Sequence, residues 1–510
     1  MNLFISKISI MKHFILSVAI LLFAAGNLFS QQNNEIIFDT DFSIGCNRII
    51  EDNMGDYVLN CGFGDTTNHI SSKIVKLTPD FDTTSVTISF PGHDISFGDF
   101  VVTENNDYIF FGYYGIDTGY QSYYYTNFVI MCLDENLDEK YMKYYQLPES
   151  HKNPNMKVSL TENGDLYAAG TLRYSTDTTY GKDVLYLVKF DENGDTLKTS
   201  ITEDQYGSIQ VHDILPKNNG EEGLYVIGNG FLNLYGKEVF DVGPDLGYSV
   251  IGLDQSAYGL GSRASAKWIN DSVYMFVSFS TPPESKNKES KIYTEDLFIT
   301  KVTDDHELIG EPVWVGRHDT TDYLAMYGFD FTDPSMMFAG AFNMQSPTTS
   351  YQNYYFVSLF DEDMNIKGVK SIGEPDQNYM LLTICATDDG GCLFSAITYD
   401  YVNDPDYDFD LHILKLYPND IITSASETPL VIDSDYSVFP NPGKDVLYVR
   451  TARKGSTIKM YNENGGLALE GKLGTGNTTE INTAALNPGI YLFEFTDKSG
   501  NTETGKWIKK

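Results

Sequence analysis

Short runs of alternating apolar and polar residues, each a few residues long, follow one another along most of this chain, and acidic or glycine-containing turns separate them. A period of two is the mark of β-strands with one or both faces buried. One motif is a small-and-aromatic strand entered from a turn. It appears as Asp56–Gly62, Asp107–Gly112, Asp165–Gly170, Gly223–Gly228, Ser272–Val277, Met336–Gly340 and Gly391–Ala396. A second motif trails most copies of the first: Ser72–Leu77, Asn127–Leu133, Asp183–Phe190, Asp296–Val302, Tyr354–Phe360 and Asp410–Leu416, with Tyr248–Leu253 as a degraded fourth copy. A further strand precedes the first motif (Phe97–Thr103, Met156–Leu160, Ile209–Leu215, Met380–Ala386), and another follows the second (Lys140–Gln146, Thr196–Ile201, Pro312–Arg317, Ile366–Ile372). No segment has a convincing helical period. Each unit therefore reads as four antiparallel strands, A to D.

Four-stranded units repeated about every 50 residues predict an all-β chain built as a seven-bladed β-propeller over residues 31–424. The irregular fourth unit keeps six or eight blades as alternatives. The last unit lacks a clear fourth strand after Tyr417, whereas Glu35–Asp41 stands unpaired at the other end. Supplying the missing strand from there closes the ring and removes two open sheet edges.

In such a unit the A–B and C–D turns share one face and the B–C loops lie on the other. The A–B and C–D turns are mostly tight, as in Thr161–Asp165. The B–C loops are longer and rich in tyrosine. Tyr120, Tyr123, Tyr124, Tyr125, Tyr174, Tyr180, Tyr351 and Tyr399 make that side the expected ligand face, because long loops on a rigid scaffold carry function and tyrosine offers a rigid amphipathic contact.

Charge divides the chain. Residues 433–510 hold 9 acids and 10 bases, and residues 1–30 hold 2 Lys and no acid. Subtracting from the totals of 71 and 35 leaves 62 acids against 23 bases, net −39, for residues 31–432. The break falls at a Ser-, Thr- and Pro-containing linker, 425–433. A body this acidic repels nucleic acid and anionic membranes, which argues against both as partners.

The two ends carry an address. Met11-Lys-His13 precedes an apolar run, Phe14–Ala25, too short to span a bilayer. This pattern reads as a signal peptide, residues 1–30, cut between Ser30 and Gln31. No other segment is apolar and long enough to cross a membrane. At the far end, a short strand runs into Pro440, Asn441 and Pro442. The strand Asp445–Val449 follows, then Thr457–Tyr461 with a turn at Gly465 and Gly466, then Leu486-Asn-Pro-Gly489-Ile-Tyr491, and finally a Lys-rich strand. Residues 434–510 resemble, in that order of motifs, the type A C-terminal sorting domain of type IX secretion cargo. The resemblance implies a small immunoglobulin-like β-sandwich with Pro440, Asn441, Pro442, Gly465, Leu486, Gly489 and Tyr491 as its motif residues. It also implies the type IX machinery and its sorting protease as partners, removal of the domain, and a body that is released or anchored to surface lipopolysaccharide.

Catalytic signatures are absent: there is no H-E-x-x-H, G-x-S-x-G, Walker A or dinucleotide-binding glycine motif. Three His-Asp pairs (His93-Asp94, His212-Asp213, His318-Asp319) read as chance in an Asp-rich chain. Asp191, Asn193 and Asp195 resemble the start of a calcium loop, but Thr202 stands where the bidentate Glu belongs, so this is a hairpin turn. No cofactor is expected. Calcium is the one candidate ion, through Asp404, Asp406, Asp408 and Asp410, which a strand places on one side. Cys46 and Cys61 lie symmetrically about a turn, so one hairpin could set them opposite each other; export permits a disulfide there, and buried free thiols are the competing reading. Cys385 and Cys392 are one residue off symmetry, and Cys132 is left over. Two functions follow for the secreted body. One is a non-catalytic module that binds glycan or protein. The other is a polysaccharide lyase or hydrolase with carboxylates near the ring axis.

Overall fold

The computed structural model describes residues 34–510 except for 40–42, 65–68, 117–125, 147–150, 162–163, 177–178, 202–208, 219, 230–236, 254–259, 262, 283–294, 317–320, 344–352, 375–376, 401–408, 423–435, 440–442, 452–455, 463–464, 475–477 and 497–501. The described body is a succession of four-stranded antiparallel units in chain order, the last two bridged in parallel at Tyr327 and Thr383 into one eight-stranded sheet. Unit 1 spans residues 44–88, unit 2 93–146, unit 3 151–201, unit 4 210–252, unit 5 265–315 and unit 6 322–372. Unit 7 takes three strands from residues 377–416, and its fourth is Glu35–Phe38, paired antiparallel with Asp410–Leu416 (Ile36 opposite Ile413). The N-terminal strand thus does close the last unit, as its unpaired apolar pattern requires.

Strand A of each unit is Ile44–Glu51, His93–Val102, His151–Leu160, Gln210–Pro216, Ser265–Asn270, Asp322–Asp333 or Gln377–Ala386. Each A strand touches the A strand of the next unit, and the last touches the first, so the inner strands form a closed ring. Apolar clusters fill the spaces between successive units. One joins Ile109, Phe111 and Phe128 of unit 2 to Met156, Leu172 and Phe190 of unit 3. Another joins Ile36, Leu393 and Leu411 to Ile49, Leu59 and Val75, across the junction where the chain's two ends meet.

The tight turns share one construction. The first residue's N–H bonds the fifth residue's carbonyl, and the fourth residue's N–H bonds back to the first, as in Asp134–Asp138 and Asp191–Asp195. The first residue is Asp or Thr in most of them, and its side chain accepts from the fifth N–H: Asp134 Oδ1 at 2.9 Å, Asp191 Oδ1 at 2.8 Å. The fourth residue needs positive φ. Glycine supplies it at Gly194, but Leu137 (φ 66°), Leu246 (φ 62°) and Met364 (φ 63°) adopt it too. These three are buried. Burial of an apolar plug beneath the sheet offsets the backbone cost that positive φ imposes on a side chain.

Two sequence expectations change. In unit 4, strand C is Lys237–Val242 and Tyr248–Gly252 is strand D, so the supposed degraded copy is the outer strand. Its partial exposure explains the weak apolar signal. A one-turn helix, Pro418–Ile421, follows unit 7, where no helix was expected. Its Ile421 is buried against the last units.

Residues 436–510 form two sheets over one core. One orders Tyr436–Phe439, Val446–Thr451 and Thr478–Asn482. The other orders Leu467–Lys472, Thr457–Asn462, Gly489–Thr496 and Thr502–Lys509. Leu447 and Val449 from the first sheet pack with Ile458, Met460, Phe493, Phe495 and Trp507 from the second.

Candidate functional site

The inner ring is interrupted by β-bulges. Register shifts occur between Cys46 and Arg48, Phe97 and Asp99, Val211 and Asp213, and Leu381 and Thr383. Between Leu324 and Phe329 the pairing is broken over several residues. A bulge re-aims a side chain that regular alternation would send elsewhere. Here the residues at or beside the breaks include Arg48, Asp99, Asp213, Tyr327 and Asp330, and all five meet near the axis. Gly98 makes one of the bulges feasible, since a Cβ there would stand 2.8 Å from the Met156 carbonyl oxygen of the next unit.

Three axial carboxylates repeat one arrangement in alternate units. Asp99 accepts from its neighbour Phe100 N–H (2.9 Å) and, across the unit boundary, from Val158 N–H (3.0 Å). Asp213 accepts from Ile214 N–H (2.9 Å) and Ala266 N–H (2.9 Å). Asp330 accepts from Phe331 N–H (2.9 Å) and Ala386 N–H (3.0 Å). Each carboxylate satisfies the amide left unpaired by its own bulge and one from the following unit. Their first role is to pin inner strands together.

Four cations lie among them. Arg48 Nε is 3.6 Å from Asp99 Oδ1, and its guanidinium lies 3.9 Å from the Tyr327 ring centroid. Burial works against its charge, but the Asp99 carboxylate more than compensates and holds its pKa above the ordinary value. Lys157 is 2% exposed, with Nζ 3.2 Å from the Tyr327 centroid. Burial pushes this amine down to about 8, although Asp99 and Asp213 oppose the shift. Lys267 bonds Asp330 Oδ1 and the Phe331 carbonyl, both at 2.6 Å. Arg263 donates to the Leu324 carbonyl at 3.1 Å. Burial also raises Asp213 and Tyr327.

Beside this cluster is a cavity of about 340 Å³. Its lining includes Arg48, Asp213, Ser265, Lys267, Trp268 and Tyr327. The volume lies within the range of small-ligand sites. Arg48 Nε, Ser265 Oγ and Tyr327 Oη are buried without a hydrogen-bond partner of normal geometry. Trp268 is held by its Nε1–H, which donates to the Pro216 carbonyl at 2.7 Å, and by edge contact with Tyr274. The lining runs from the bulges toward the A–B ends of the inner strands, as Asp213–Pro216, Phe329 and Asp330 show. The cavity therefore lies toward the tight-turn side, not the tyrosine-loop side expected to bind.

Of the loop tyrosines, Tyr120, Tyr123, Tyr124, Tyr125 and Tyr351 lie outside the described residues, as do the side chains of Tyr174 and Tyr180. Tyr399 is half-buried. Its hydroxyl accepts from Asn378 Nδ2 (2.6 Å) and its ring meets Phe409 edge-on. Asp404, Asp406 and Asp408 are also outside. Asp410 opens its strand opposite Thr398. Among the described residues no group of three His, Cys, Asp or Glu side chains has metal-binding geometry.

Ser30, Gln31, Pro440, Asn441 and Pro442 fall outside as well. In the C-terminal sheets Gly465 holds a turn at φ 75° and Leu486 N–H bonds the Thr483 carbonyl. Gly489 begins a central strand, and buried Tyr491 donates to the Asn487 carbonyl at 2.8 Å. Cys46 and Cys61 are register partners, as their symmetry predicted, whereas Cys385 faces Leu393. All five thiols are free and buried. Of the three His-Asp pairs, His318-Asp319 lies outside the described residues, and the other two are engaged separately. His93 stacks on Tyr114, and Asp213 serves backbone amides.

Sequence reasoning missed the axial cluster. A signal was present: Asp99, Asp213 and Asp330 each sit in an inner strand and are followed by Phe or Ile. Repetition of a buried acid at one place in a repeat points to a common role.

Comparison with known proteins identifies one segment. The secretion system C-terminal sorting domain matches residues 437–510. This chain therefore carries a type IX C-terminal sorting domain, which indicates secretion or attachment at the cell surface. No curated protein matches. Among solved structures, the chain is similar to a protein of unknown function from Dyadobacter fermentans (8% identity, 76% of this chain and 98% of that one, TM-score 0.42). It is also similar to the polysaccharide lyase Uly1 (8%, 71% and 88%, TM-score 0.42) and to a leech intramolecular trans-sialidase (11%, 75% and 69%, TM-score 0.39). No activity is carried over from them. No helix among the described residues is long and apolar enough to cross a membrane.

Proposed function

We propose that this protein is a type IX cargo whose body is a seven-bladed β-propeller acting as a non-catalytic glycan-binding module, with the axial cavity as its principal site. The export route begins with a signal peptide cut between Ser30 and Gln31 and ends at an immunoglobulin-like sorting sandwich. The observation that carries the binding reading is the state of the axial acids. Most glycoside hydrolases work through a pair of available carboxyl groups, yet Asp99, Asp213 and Asp330 each hold two backbone amides. Withdrawing any of them for proton transfer leaves buried amides unpaired. Beside the engaged Asp213 and Asp330, the cavity wall offers Arg48, Lys267, Ser265 and the Trp268 indole, which is the chemistry of capture.

The test is a broad glycan array probed with the secreted protein, with and without calcium, followed by incubation of each hit and analysis of its products. A specific hit that is recovered intact supports the proposal. Cleaved product overturns the non-catalytic reading, and a blank array overturns the glycan reading.

A further inference from the structure

We infer that the axial cavity recognises the anionic group of a single acidic sugar, a carboxylate or a sulfate ester, at the end of an otherwise neutral glycan. This rests on the glycan-binding reading above and assigns its ligand class.

The local charge supports an anion. Within a body of net charge −39, four cations (Arg48, Lys157, Arg263, Lys267) are concentrated around three carboxylates. Each carboxylate is already shared with two amides. Lys267 has its partner in Asp330, but Arg48 holds only a loose approach to Asp99 at 3.6 Å and keeps Nε unbonded. Ser265 Oγ supplies a buried, unmatched hydroxyl on the same wall, and Tyr327 Oη beside it faces Asp99. Leaving donors unpaired in a buried site is costly unless a ligand completes them. A planar guanidinium with a spare edge suits the paired oxygens of a carboxylate or sulfate.

The same numbers limit the ligand's size and charge. A cavity of about 340 Å³ has room for a sugar unit or two, with Trp268 as a fixed plate for a ring face. An extended polyanion meets repulsion from a body of this net charge. One acidic sugar presented on a neutral chain avoids it.

The test uses the secreted protein and isothermal titration. The probes are galacturonate, its methyl ester, galactose 6-sulfate and galactose. Binding of either acid at least tenfold tighter than its neutral counterpart is expected, and which acid binds identifies the source of the charge. Arg48→Gln should remove that preference, and Ser265→Ala, which leaves the Asp99 contact intact, should weaken acid binding severalfold if the first variant fails to fold. Equal affinity for an acid and its neutral counterpart overturns the anionic assignment while the glycan-binding reading stands. An array hit whose affinity is untouched by both variants moves the site elsewhere and overturns the assignment as well. Failure of every probe together with a blank array overturns both.

Discussion

Lysine, aspartate and tyrosine meet in two kinds of place in this ring, and the outcome is opposite. At the junction of units 1 and 2, Lys76 lies 2.9 Å from Asp52, 3.2 Å from Asp56 and 3.0 Å from the Tyr108 hydroxyl. Tyr108 donates in turn to Asp52 at 2.6 Å, and Asn106 adds a bond at 3.2 Å. Burial works against the Lys76 charge, but these partners more than compensate, so its pKa rises. At the axis, Lys157 has the Tyr327 ring face and carboxylates already engaged elsewhere, so burial wins and its pKa falls to about 8. The contrast separates two uses of one set of residues. A network with every group bonded holds units together, whereas one with unmatched donors stores a cost that a ligand can relieve.

The largest effect should come from breaking the complete network. Asp52→Ala removes the nearest carboxylate of Lys76 and the acceptor of Tyr108, and strands the turn amides of Met54 and Asp56, both of which bond Asp52 Oδ1. Loss of about 3–5 kcal/mol is expected, the usual cost of removing one member of a buried pair, measured by denaturant unfolding. A loss near zero would mean that the network is ornamental. The axial lysine should behave the other way. Lys157→Met is expected to stabilise the protein by about 1–4 kcal/mol at pH 7, since a well-packed apolar residue replaces a buried charge. The pH dependence carries a sign. The unfolded chain keeps its amine protonated up to 10.5, while the folded one releases its proton at about 8. Between those values the unfolded state binds more protons, so wild-type stability rises with pH relative to the variant, and the gap narrows. A gap that stays constant from pH 7 to 10.5 would show that Lys157 is not desolvated. A third variant acts on the bulge rather than the charge. Gly98→Ala drives a Cβ toward the Met156 carbonyl and should cost about 1–3 kcal/mol. It should also weaken glycan binding by displacing Asp99 and Arg48, whereas a variant that binds normally would detach the bulge from the site.

Much of the scaffold was legible because strands announce themselves locally. The Asp56–Gly62 type of motif repeats with its turn, and Glu35–Phe38 betrayed its partner by being apolar and unpaired. Unit 4 was misread because an outer strand buries one face at most, so Tyr248–Gly252 carries little pattern. The axial site was not legible, for a different reason. Arg48, Lys157, Asp213 and Tyr327 come from four units and meet only when the ring closes. Bulges also break the period-two rule that would tell which way each one points. The tyrosine loops drew attention because composition is visible in a sequence, while convergence is not.

The smallest effect tests where the ring closes. Lys415 of unit 7, nearly fully buried, bonds Asp389 and the Tyr57 hydroxyl of unit 1, each at 2.6 Å. Burial works against the Asp389 charge, but bonds from Lys415, Thr387, Gly391 and Tyr417 pull its pKa from 3.8 down to about 2. A carboxylate lowered in the folded state stabilises it fully above 3.8, and that contribution is lost as pH falls toward 2. Nearly half of the Asp389 side chain is exposed, so solvent screens the pair and its share is about 1 kcal/mol or less. Asp389→Asn should therefore lie slightly below wild type at pH 6 and converge with it near pH 2. The Glu35–Phe38 strand, whose partner strand carries Lys415, should exchange its amides faster in the variant. A difference that persists unchanged at pH 2 would mean that the closure depends on packing of the carboxamide-sized group, not on its charge. The ring would then be sealed by the apolar contacts of Ile36, Leu393 and Leu411 with unit 1 alone.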